Sequence, residues 1–260
     1  KELAISIVFL RPLGLRLPLL DGDSEIRMLS KLESKPYVDL TIACLRHFGI
    51  AVQETEQGYA VAGGQQYHAC DLTVEGDYSQ AAFFCVANAL GSDITLTNLN
   101  PESVQGDKKI VEIVREMCYN REQGLPAGFT VDAADIPDLV PILAVLATFG
   151  TAPSSITGAH RLAIKESDRL ASTADLLNRL GGKVTATPDG LEIEPVKQLH
   201  GGTVDSCGDH RIAMCAAVAA TRCAGEVTIL HGECVEKSYP RFYEDYRQLG
   251  GIANVIVLES

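Results

Sequence analysis

The sequence contains no tryptophan, and it also lacks several patterns that would each indicate a particular class of protein. No stretch approaches the roughly 18 consecutive apolar residues of a membrane-spanning helix. The eight cysteines include no C-x-x-C pair and are not accompanied by a histidine cluster, so a zinc site is not expected. No low-complexity linker interrupts the chain. The absence of tryptophan itself carries no functional message.

Positive charge is also scarce. The 22 Lys and Arg residues are outnumbered by 34 Asp and Glu residues, which gives a formal net charge of −12. This balance disfavours nucleic acid and anionic membranes as partners, because both are polyanions. A site for an anionic small molecule must therefore be a local cluster of Lys and Arg. The length of 260 residues and the hydrophobic content of 46% predict a sizeable core in one large or two smaller domains.

The cysteines favour a reducing compartment. Four of them fall in apolar runs with a helical pattern, where a thiol acts as a small buried hydrophobic group: Cys44, Cys85, Cys215 and Cys223. We therefore expect a cytoplasmic or plastid-type location rather than secretion. Cys207, beside Asp209, is either a reactive thiol or a structural residue.

Four segments of the chain end alike, in an amphipathic helical pattern followed by a strand-like run. They end at Gly49, Cys118, Gly181 and Gly250, which are 69, 63 and 69 residues apart. Regular self-similarity at this scale indicates repeated supersecondary units. Glycine at three of the four ends suits a helix C-cap, which favours left-handed backbone.

Three of the units also contain a wholly apolar helical segment, at residues 81–90, 139–149 and 212–220. Helices that are apolar on every side are buried. Each segment follows residues suited to an N-cap, which are Asp77 with Ser79, Asp138, and Asp209. Each also precedes a strand-like run, at residues 94–99, 155–157 and 227–230. The sequence therefore predicts an α/β fold of repeated units with buried helices.

The most informative motif is Lys-Glu-Ser-Asp-Arg at residues 165–169. It opens an amphipathic helical pattern, on which Lys165 and Arg169 would share a face. A helix start attracts anions through its free N–H groups and its dipole, and two cations would strengthen that attraction. Glu166 would then lie beside the anion as a candidate acid or base. The alternative is a solvated, charged helix start.

Four further motifs accompany this one: Ser-Lys-Pro-Tyr-Val-Asp at 34–39, Ile-Pro-Asp at 136–138, Asp-His-Arg at 209–211 and Lys-Ser-Tyr-Pro at 237–240. In order and rough spacing the set resembles the 5-enolpyruvylshikimate-3-phosphate synthases (3-phosphoshikimate 1-carboxyvinyltransferases). The resemblance implies an inside-out α/β barrel fold, with two similar domains of three units each, helices inside and sheets outside. Residues 1–73 would be the last unit of an incomplete domain, and residues 74–260 a nearly complete three-unit domain.

The activity that the resemblance implies is transfer of the enolpyruvyl group from phosphoenolpyruvate to the 5-hydroxyl of shikimate 3-phosphate, in the shikimate pathway of aromatic amino-acid biosynthesis. No cofactor and no metal are expected. The attacking hydroxyl must lose a proton, and the methylene carbon of phosphoenolpyruvate must gain one and later lose it. Because both substrates are polyanions, such a site needs a base, an acid and several fixed cations.

The resemblance also implies roles for individual residues. Asp138 would be the base at the attacking hydroxyl, and Glu166 and Lys237 would take part in proton transfer. The contacts to shikimate 3-phosphate would come from Ser34, Tyr37, Asp138 and Lys165. The contacts to phosphoenolpyruvate would come from Arg169 and Arg211, whose planar forks suit carboxylate and phosphate, and from Lys237. His210 would have a positioning role only.

Ordinary structural roles compete with these assignments. Asp138 could cap the helix that follows it, and Glu166 could be a carboxylate in a first helical turn. Arg169 could be the i,i+3 partner of Glu166. Ser34 and Tyr37 could belong to an ordinary Ser-Lys-Pro helix start.

The match to the family is incomplete at the start of the chain. Family members are longer, and their N-terminal portion carries further substrate-binding cations. Their Ser-Ser-Gln phosphate motif falls here on residues 6–8, where only Ser6 is kept, and Pro12 and Gly14 interrupt the expected buried helix. We therefore expect weak or absent turnover from this chain alone. The alternatives are one half of a split enzyme that needs a complementing N-terminal fragment, a non-catalytic fragment, or an enzyme like the UDP-N-acetylglucosamine enolpyruvyl transferases, against which the motif at 165–169 argues.

Overall fold

A computed structural model of the chain describes residues 15–30 and 32–256. The expectations for Ser6 and for a helix over the first residues lie outside this described part. The chain forms two compact units. One comprises Lys1–Gly76 with Asn98–Lys108, and the other comprises Asp77–Thr97 with Lys109–Ser260.

The described residues of the first unit form a three-stranded antiparallel sheet and one α-helix. The strands are β1 (Ser24–Arg27), β2 (Gln53–Thr55) and β3 (Gly58–Val61), in the order β1-β3-β2. Helix α1 (Lys35–His47) places Val38, Ile42 and Leu45 against Tyr59 and Val61 of β3. This spacing of three and four residues puts the apolar side chains on one helix face, so the core lies between the helix and the sheet.

The second unit contains six α-helices in its described residues: α2 (Tyr78–Ala89), α3 (Lys109–Glu122), α4 (Val140–Thr148), α5 (Arg169–Arg179), α6 (His210–Ala220) and α7 (Phe242–Gln248). Helices α2, α4 and α6 contact one another. Every residue of α4 is buried, and so is every residue of α6 except Ala220. The prediction of three buried helices is therefore confirmed, and these helices form the centre of the unit.

Two sheets complete the second unit. The larger sheet has the order β4-β5-β7-β6, with β4 (Thr130–Asp132), β5 (Ser154–Thr157), β6 (Lys183–Thr187) and β7 (Gly190–Glu194). Strands β4 and β5 are parallel, and the other pairs are antiparallel. The smaller sheet is the parallel pair β8 (Leu199–Asp205) and β9 (Cys223–Leu230). Helix α4 connects β4 to β5, and α6 connects β8 to β9, as the crossover between parallel strands requires.

The repeated β/α organisation is thus confirmed, although the sheets of the described residues are open and do not close into a barrel. The glycines that end three helices adopt the predicted left-handed backbone, with φ of +83° at Gly49, +89° at Gly181 and +95° at Gly250. The prediction that a helix ends at Cys118 is wrong. Helix α3 continues to Glu122, and its left-handed glycine is Gly124, with φ of +68°.

The predicted strand at residues 94–99 is also wrong, because these residues have no strand assignment. The side chain of Asn88 bonds to both backbone groups of Ile94, donating to its carbonyl and accepting from its N–H, each at 2.8 Å. These bonds fasten the segment to the end of α2. They also occupy backbone groups that a sheet ladder would use.

The cysteine predictions are confirmed only in part. Cys215 is buried, and Cys85 is partly buried, but Cys44 is exposed and Cys223 begins β9 instead of lying in a helix. Cys44 lies outside the apolar face of α1, which explains its exposure. All eight cysteines are within the described residues and are free. Among the helices that the structure describes, none has the length and apolar character needed to cross a membrane.

Candidate active site

Arg169 lies at the centre of a buried charged cluster in the second unit. Its side chain is only 2% exposed. Its Nε donates to Oδ2 of Asp209 at 2.7 Å, and its Nη1 donates to Oδ1 of Asp138 at 3.0 Å. Its Nη2 contacts Glu166 and also lies 3.4 Å from Oδ1 of Asp209. Since a buried guanidinium is tolerated only when it is paired, these three carboxylates fix its position.

A second guanidinium, that of Arg211, links the N-terminal ends of the three buried helices. Arg211 lies in the first turn of α6 and is 7% exposed at its side chain. Its Nη2 donates to Oγ of Ser79, at the start of α2, at 3.1 Å. The same Nη2 donates to Oδ2 of Asp138, just before α4, at 3.0 Å. Helix N-termini carry partial positive charge, so the helices and the two arginines concentrate positive potential around Asp138.

Asp209 is fully buried and accepts hydrogen bonds from both arginines. Its Oδ1 caps α6 by accepting from the backbone N–H of Arg211 at 2.9 Å, which confirms the predicted N-cap. Its Oδ2 accepts from Arg169 and, at 3.2 Å, from the hydroxyl of Ser167. Burial raises the pKa of Asp209, but the hydrogen bond and the charge of Arg169 outweigh burial and bring the pKa below its ordinary value. The carboxylate is therefore ionised at neutral pH.

Glu166 and Lys237 form the more exposed edge of the cluster. The Nζ of Lys237 donates to Oε1 of Glu166 at 3.0 Å, with side-chain exposures of 57% and 26%. Burial raises the pKa of Glu166, whereas the hydrogen bond from Lys237 and the charge of Arg169 lower it, and the net shift is downward. Glu166 is thus ionised at neutral pH while these two cations are beside it.

The helix after this motif begins later than the sequence predicts. Asp168 is the N-cap of α5 and accepts from the N–H of Ala171 at 3.1 Å. Lys165 precedes that cap in extended backbone, so the prediction that it shares a helix face with Arg169 is wrong. An aspartate side chain that accepts from a free backbone N–H stabilises a helix start, which explains why the boundary lies at Asp168. Lys165 is exposed, and its side chain makes no hydrogen bond or ion pair with the part of the chain that the structure describes.

The structure also decides two of the structural alternatives. The N-cap positions near α4 are Ile136 and Leu139, so the alternative that Asp138 caps this helix is wrong. The carboxylate of Asp138 is held instead by Arg169 and Arg211. The i,i+3 pair of Glu166 with Arg169 is present, but Glu166 lies before the helix and not in its first turn.

Ser34 and Tyr37 lie in the first unit, at the start of α1. Ser34 is 4% exposed and has left-handed backbone with φ of +56°, and its side chain does not cap the helix. The hydroxyl of Tyr37 donates to Oδ2 of Asp107 at 3.0 Å. Five of the other six predicted residues are bonded together in the second unit: Asp138, Glu166, Arg169, Arg211 and Lys237.

The same cluster contains a possible set of metal ligands. Glu166, Asp209 and His210 offer ligand atoms that all lie within 4.8 Å of one another. Burial and the charge of Arg211 lower the pKa of His210, which keeps its ring neutral. However, Arg169 already donates to both carboxylates, so a metal ion would have to displace a buried guanidinium. The described donor set therefore suits an internal ion-pair network better than a metal centre.

Sequence reasoning missed the full role of Asp209, for which only the cap is predicted. The residue lies 40 positions from Arg169, and no local pattern relates the two. The useful signal is the acidic residue beside Arg211 in a helix that is otherwise apolar. Such a charge at the end of a buried helix needs a cationic partner from elsewhere in the fold.

Comparison with known proteins identifies the family of the chain. The model of the EPSP synthase family, 3-phosphoshikimate 1-carboxyvinyltransferase, matches residues 2–246. A relative of that name from Clostridium acetobutylicum is 44% identical over 255 residues, which is 95% of this chain and 60% of the relative. Another from Clostridium beijerinckii is 41% identical over 260 residues, with the same shares covered.

Solved structures agree with the sequence relatives. The EPSP synthase of Acinetobacter baumannii has a TM-score of 0.73 at 26% identity, over 88% of this chain and 57% of that one. The enolpyruvyl transferase NikO of Streptomyces tendae has a TM-score of 0.64 at 18% identity, over 92% of this chain and 58% of that one, which is a likeness of fold. The chain spans about 60% of the length of the curated relatives it matches. This chain belongs to the EPSP synthase (3-phosphoshikimate 1-carboxyvinyltransferase) family.

Proposed function

We propose that this chain carries part of a site that transfers the enolpyruvyl group of phosphoenolpyruvate to the 5-hydroxyl of shikimate 3-phosphate and releases phosphate. The observation that carries the proposal is the bonded cluster around Arg169, in which candidate acid, base and cations meet at the ends of three buried helices. Relatives that match 95% of the chain are named for this activity.

Phosphoenolpyruvate would bind to Arg169, Arg211 and Lys237. Its carboxylate and phosphate are planar or multidentate anions, which match the fork of a guanidinium. Within the cluster each of these cations is paired with a carboxylate of the protein. Lys237 is the most exposed of the three, so its bond to Glu166 is the one an arriving anion reaches most easily.

Glu166 would act on the methylene carbon of phosphoenolpyruvate. Burial raises the pKa of Glu166, but Lys237 and Arg169 bring it below the ordinary value. A bound anion would draw these cations toward itself and add negative charge nearby, and both effects raise the pKa of a carboxyl group. Substrate binding would thereby let Glu166 take up the proton that it delivers to the methylene carbon. It would accept that proton again when the intermediate breaks down.

Asp138 would act as the base at the attacking hydroxyl. Its side chain is 19% exposed, and each of its carboxylate oxygens accepts from one arginine. An ionised carboxylate has about four lone-pair sites, so it can accept from a substrate hydroxyl while keeping both arginines. The arginines would then orient the base without blocking it.

The remaining parts of the proposal concern shikimate 3-phosphate and the rest of the protein. Lys165, which is exposed, and Ser34 and Tyr37 would contact this substrate. Residues 1–73 would correspond to the last unit of one domain of the family fold, and residues 74–260 to most of the other. A complementing N-terminal fragment would supply further cations, so turnover by the chain alone would be weak. The free thiols suit a cytoplasmic location.

The test combines ligand-induced thermal stabilisation with a phosphate-release assay. The chain is heated with phosphoenolpyruvate, with shikimate 3-phosphate, with both, or with UDP-N-acetylglucosamine as the other acceptor. We expect stabilisation by phosphoenolpyruvate and by shikimate 3-phosphate, and none by the nucleotide sugar. Lys237→Ala should weaken the response to phosphoenolpyruvate, whereas Lys197→Ala, an exposed control outside the cluster, should not. Absence of any response to either family substrate would contradict the proposal.

A further inference from the structure

The first turn of α2 contacts both segments that carry proposed phosphoenolpyruvate ligands. Ser79 is 5% exposed, and its Oγ accepts from Nη2 of Arg211 at 3.1 Å. The next residue, Gln80, donates from Nε2 to Oγ of Ser238 at 2.8 Å. Ser238 directly follows Lys237 and is the C-cap of the short 3-10 helix Gly232–Lys237. Two consecutive side chains of one helix therefore reach the arginine and the segment that holds the lysine.

Helix α2 provides a rigid support for these contacts. Its N-cap Asp77 accepts from the N–H of Ser79 at 2.8 Å, which fixes the turn. Further along the helix, the ring of Phe84 lies 6.3 Å from that of Tyr239 and 6.4 Å from that of Phe242, centroid to centroid. The segment after Lys237 is thus packed against α2 by aromatic side chains, and Gln80 adds a polar contact closer to the lysine.

Lys237 needs such support more than the arginines do. Its side chain is 57% exposed and has a flexible four-carbon stem, whereas Arg169 and Arg211 are fixed by burial. The Oε1 of Gln80 is buried and has no hydrogen-bond partner in the described part of the chain. A buried polar atom without a partner is unfavourable, and folding alone would be served better by an apolar side chain at this position.

We propose that Ser79 and Gln80 are positioning residues, with Ser79 orienting the guanidinium of Arg211 and Gln80 holding the Lys237 segment in register with it. Neither side chain is assigned a contact with substrate. These contacts are made within the protein itself, so the positioning can be measured without adding substrate. Its consequence for phosphoenolpyruvate binding rests on the proposed function.

The first experiment measures side-chain reactivity in the ligand-free chain. Lysines are acetylated with limiting acetic anhydride, and the rates are read peptide by peptide with mass spectrometry. Gln80→Leu and Ser238→Ala each remove the same hydrogen bond, and Ser238 is exposed, so its replacement leaves the core intact. We expect both variants to raise the acetylation rate of Lys237 relative to Lys165 by about fivefold, as loss of one hydrogen bond implies. An unchanged ratio in both variants would overturn the role of Gln80.

Arg211 is probed in the same way with phenylglyoxal, which modifies accessible guanidinium groups. Ser79→Ala should raise its modification rate, and Ser79→Thr, which keeps the hydroxyl, should restore protection. Ser154→Ala is the matched control, because Ser154 is also a buried serine whose Oγ accepts a hydrogen bond, here from the N–H of Phe129 at 3.1 Å. Equal rates of Arg211 modification in Ser79→Ala and Ser154→Ala would mean that Ser79 has only a general structural role.

The second experiment adds phosphoenolpyruvate and follows the thermal shift. Ser79→Ala and Gln80→Leu should each weaken apparent affinity by about fivefold, while Ser154→Ala changes only the unliganded melting temperature. If the wild-type chain itself does not respond to phosphoenolpyruvate, the proposed function fails, but the reactivity measurements still decide the positioning role. If wild type responds and both variants respond equally, the positioning role in binding is refuted.

Discussion

Replacement of Asp209 by asparagine tests whether the charged cluster stabilises the second unit. The substitution keeps the size of the side chain and one carbonyl oxygen, so the cap on α6 can persist. It replaces the other carboxylate oxygen with an NH2 group, which would face the hydrogen-bond donors of Arg169 and Ser167. The variant therefore removes the ion pair and places donors against a donor, while leaving the apolar core untouched.

The expected loss follows from burial. Asp209 is 0% exposed and Arg169 is 2% exposed, so the remaining charge cannot be solvated. Breaking a buried ion pair by removing one partner costs about 3–5 kcal/mol. Arg169 keeps Asp138 and Glu166, so we expect the lower end of this range, about 3 kcal/mol.

Urea unfolding of both proteins as a function of pH measures the effect. The pKa of Asp209 in the folded protein lies below the ordinary value of 3.8. Its stabilisation is therefore fully present well above pH 3.8 and is lost as the pH falls through the lower, folded-state pKa. Asparagine does not titrate. The difference in the free energy of unfolding between wild type and Asp209→Asn should be constant near neutral pH and should become smaller in strong acid.

Asp175→Asn is the matched control, because Asp175 accepts from Nε of Arg179 at 2.6 Å in an exposed pair on α5. Exposed pairs contribute little, so this variant should be indistinguishable from wild type. An unfolding free energy for Asp209→Asn within about 1 kcal/mol of wild type at neutral pH would refute the reasoning, since that is the size of an ordinary surface effect.

Three further predictions concern ligand binding, catalysis and the core. Arg211→Lys should weaken stabilisation by phosphoenolpyruvate more than it lowers the unliganded melting temperature, because lysine keeps the charge but loses the planar fork; the opposite pattern would assign a structural role. Asp138→Asn should slow addition of the 5-hydroxyl to phosphoenolpyruvate, whereas Glu166→Gln should most reduce exchange of solvent hydrogen into phosphoenolpyruvate. Both are measured by single-turnover isotope incorporation with the N-terminal part supplied, and wild-type behaviour of both variants would contradict these assignments. Leu143→Ala, at a 0% exposed position, should lower the free energy of unfolding in urea by about 2–5 kcal/mol, and no measurable loss would contradict its place in the core.

Much of the architecture could be predicted from the sequence, because helices α2, α4 and α6 are apolar on every side and such helices must be buried. The left-handed glycines after α1, α5 and α7 could be predicted equally well, since few other residues adopt that backbone conformation. The prediction of a strand at residues 94–99 is wrong because β propensity does not show whether a partner strand is present. Asn88, which binds the segment, is ordinary in sequence and important only through its position.

The candidate site could likewise be predicted from the sequence only in part. The motif at 165–169 identified Glu166 and Arg169 as a charged pair, but it placed the helix start four residues too early. The sequence allows a helix start at Lys165 or at Asp168, and only the structure places the N-cap at Asp168, with Lys165 before it. The bonds of Arg169 to Asp138 and Asp209 span 31 and 40 residues, so they depend on how the three helices pack.

If the charged cluster binds phosphoenolpyruvate as proposed, its internal pairing would affect how quickly and how selectively an anion is captured. Its three cations, Arg169, Arg211 and Lys237, are matched by three carboxylates, so from a distance the cluster is almost neutral. The whole chain is negative, at −12, and it offers an approaching anion no long-range attraction. Capture would then be an ion exchange at contact, in which the ligand would replace protein carboxylates as the counter-ion of the cations. Chloride would then exchange poorly and a ligand with several anionic groups would exchange well. Because the chain is negative overall, salt would screen its repulsion of a polyanion, so the association rate should rise with ionic strength.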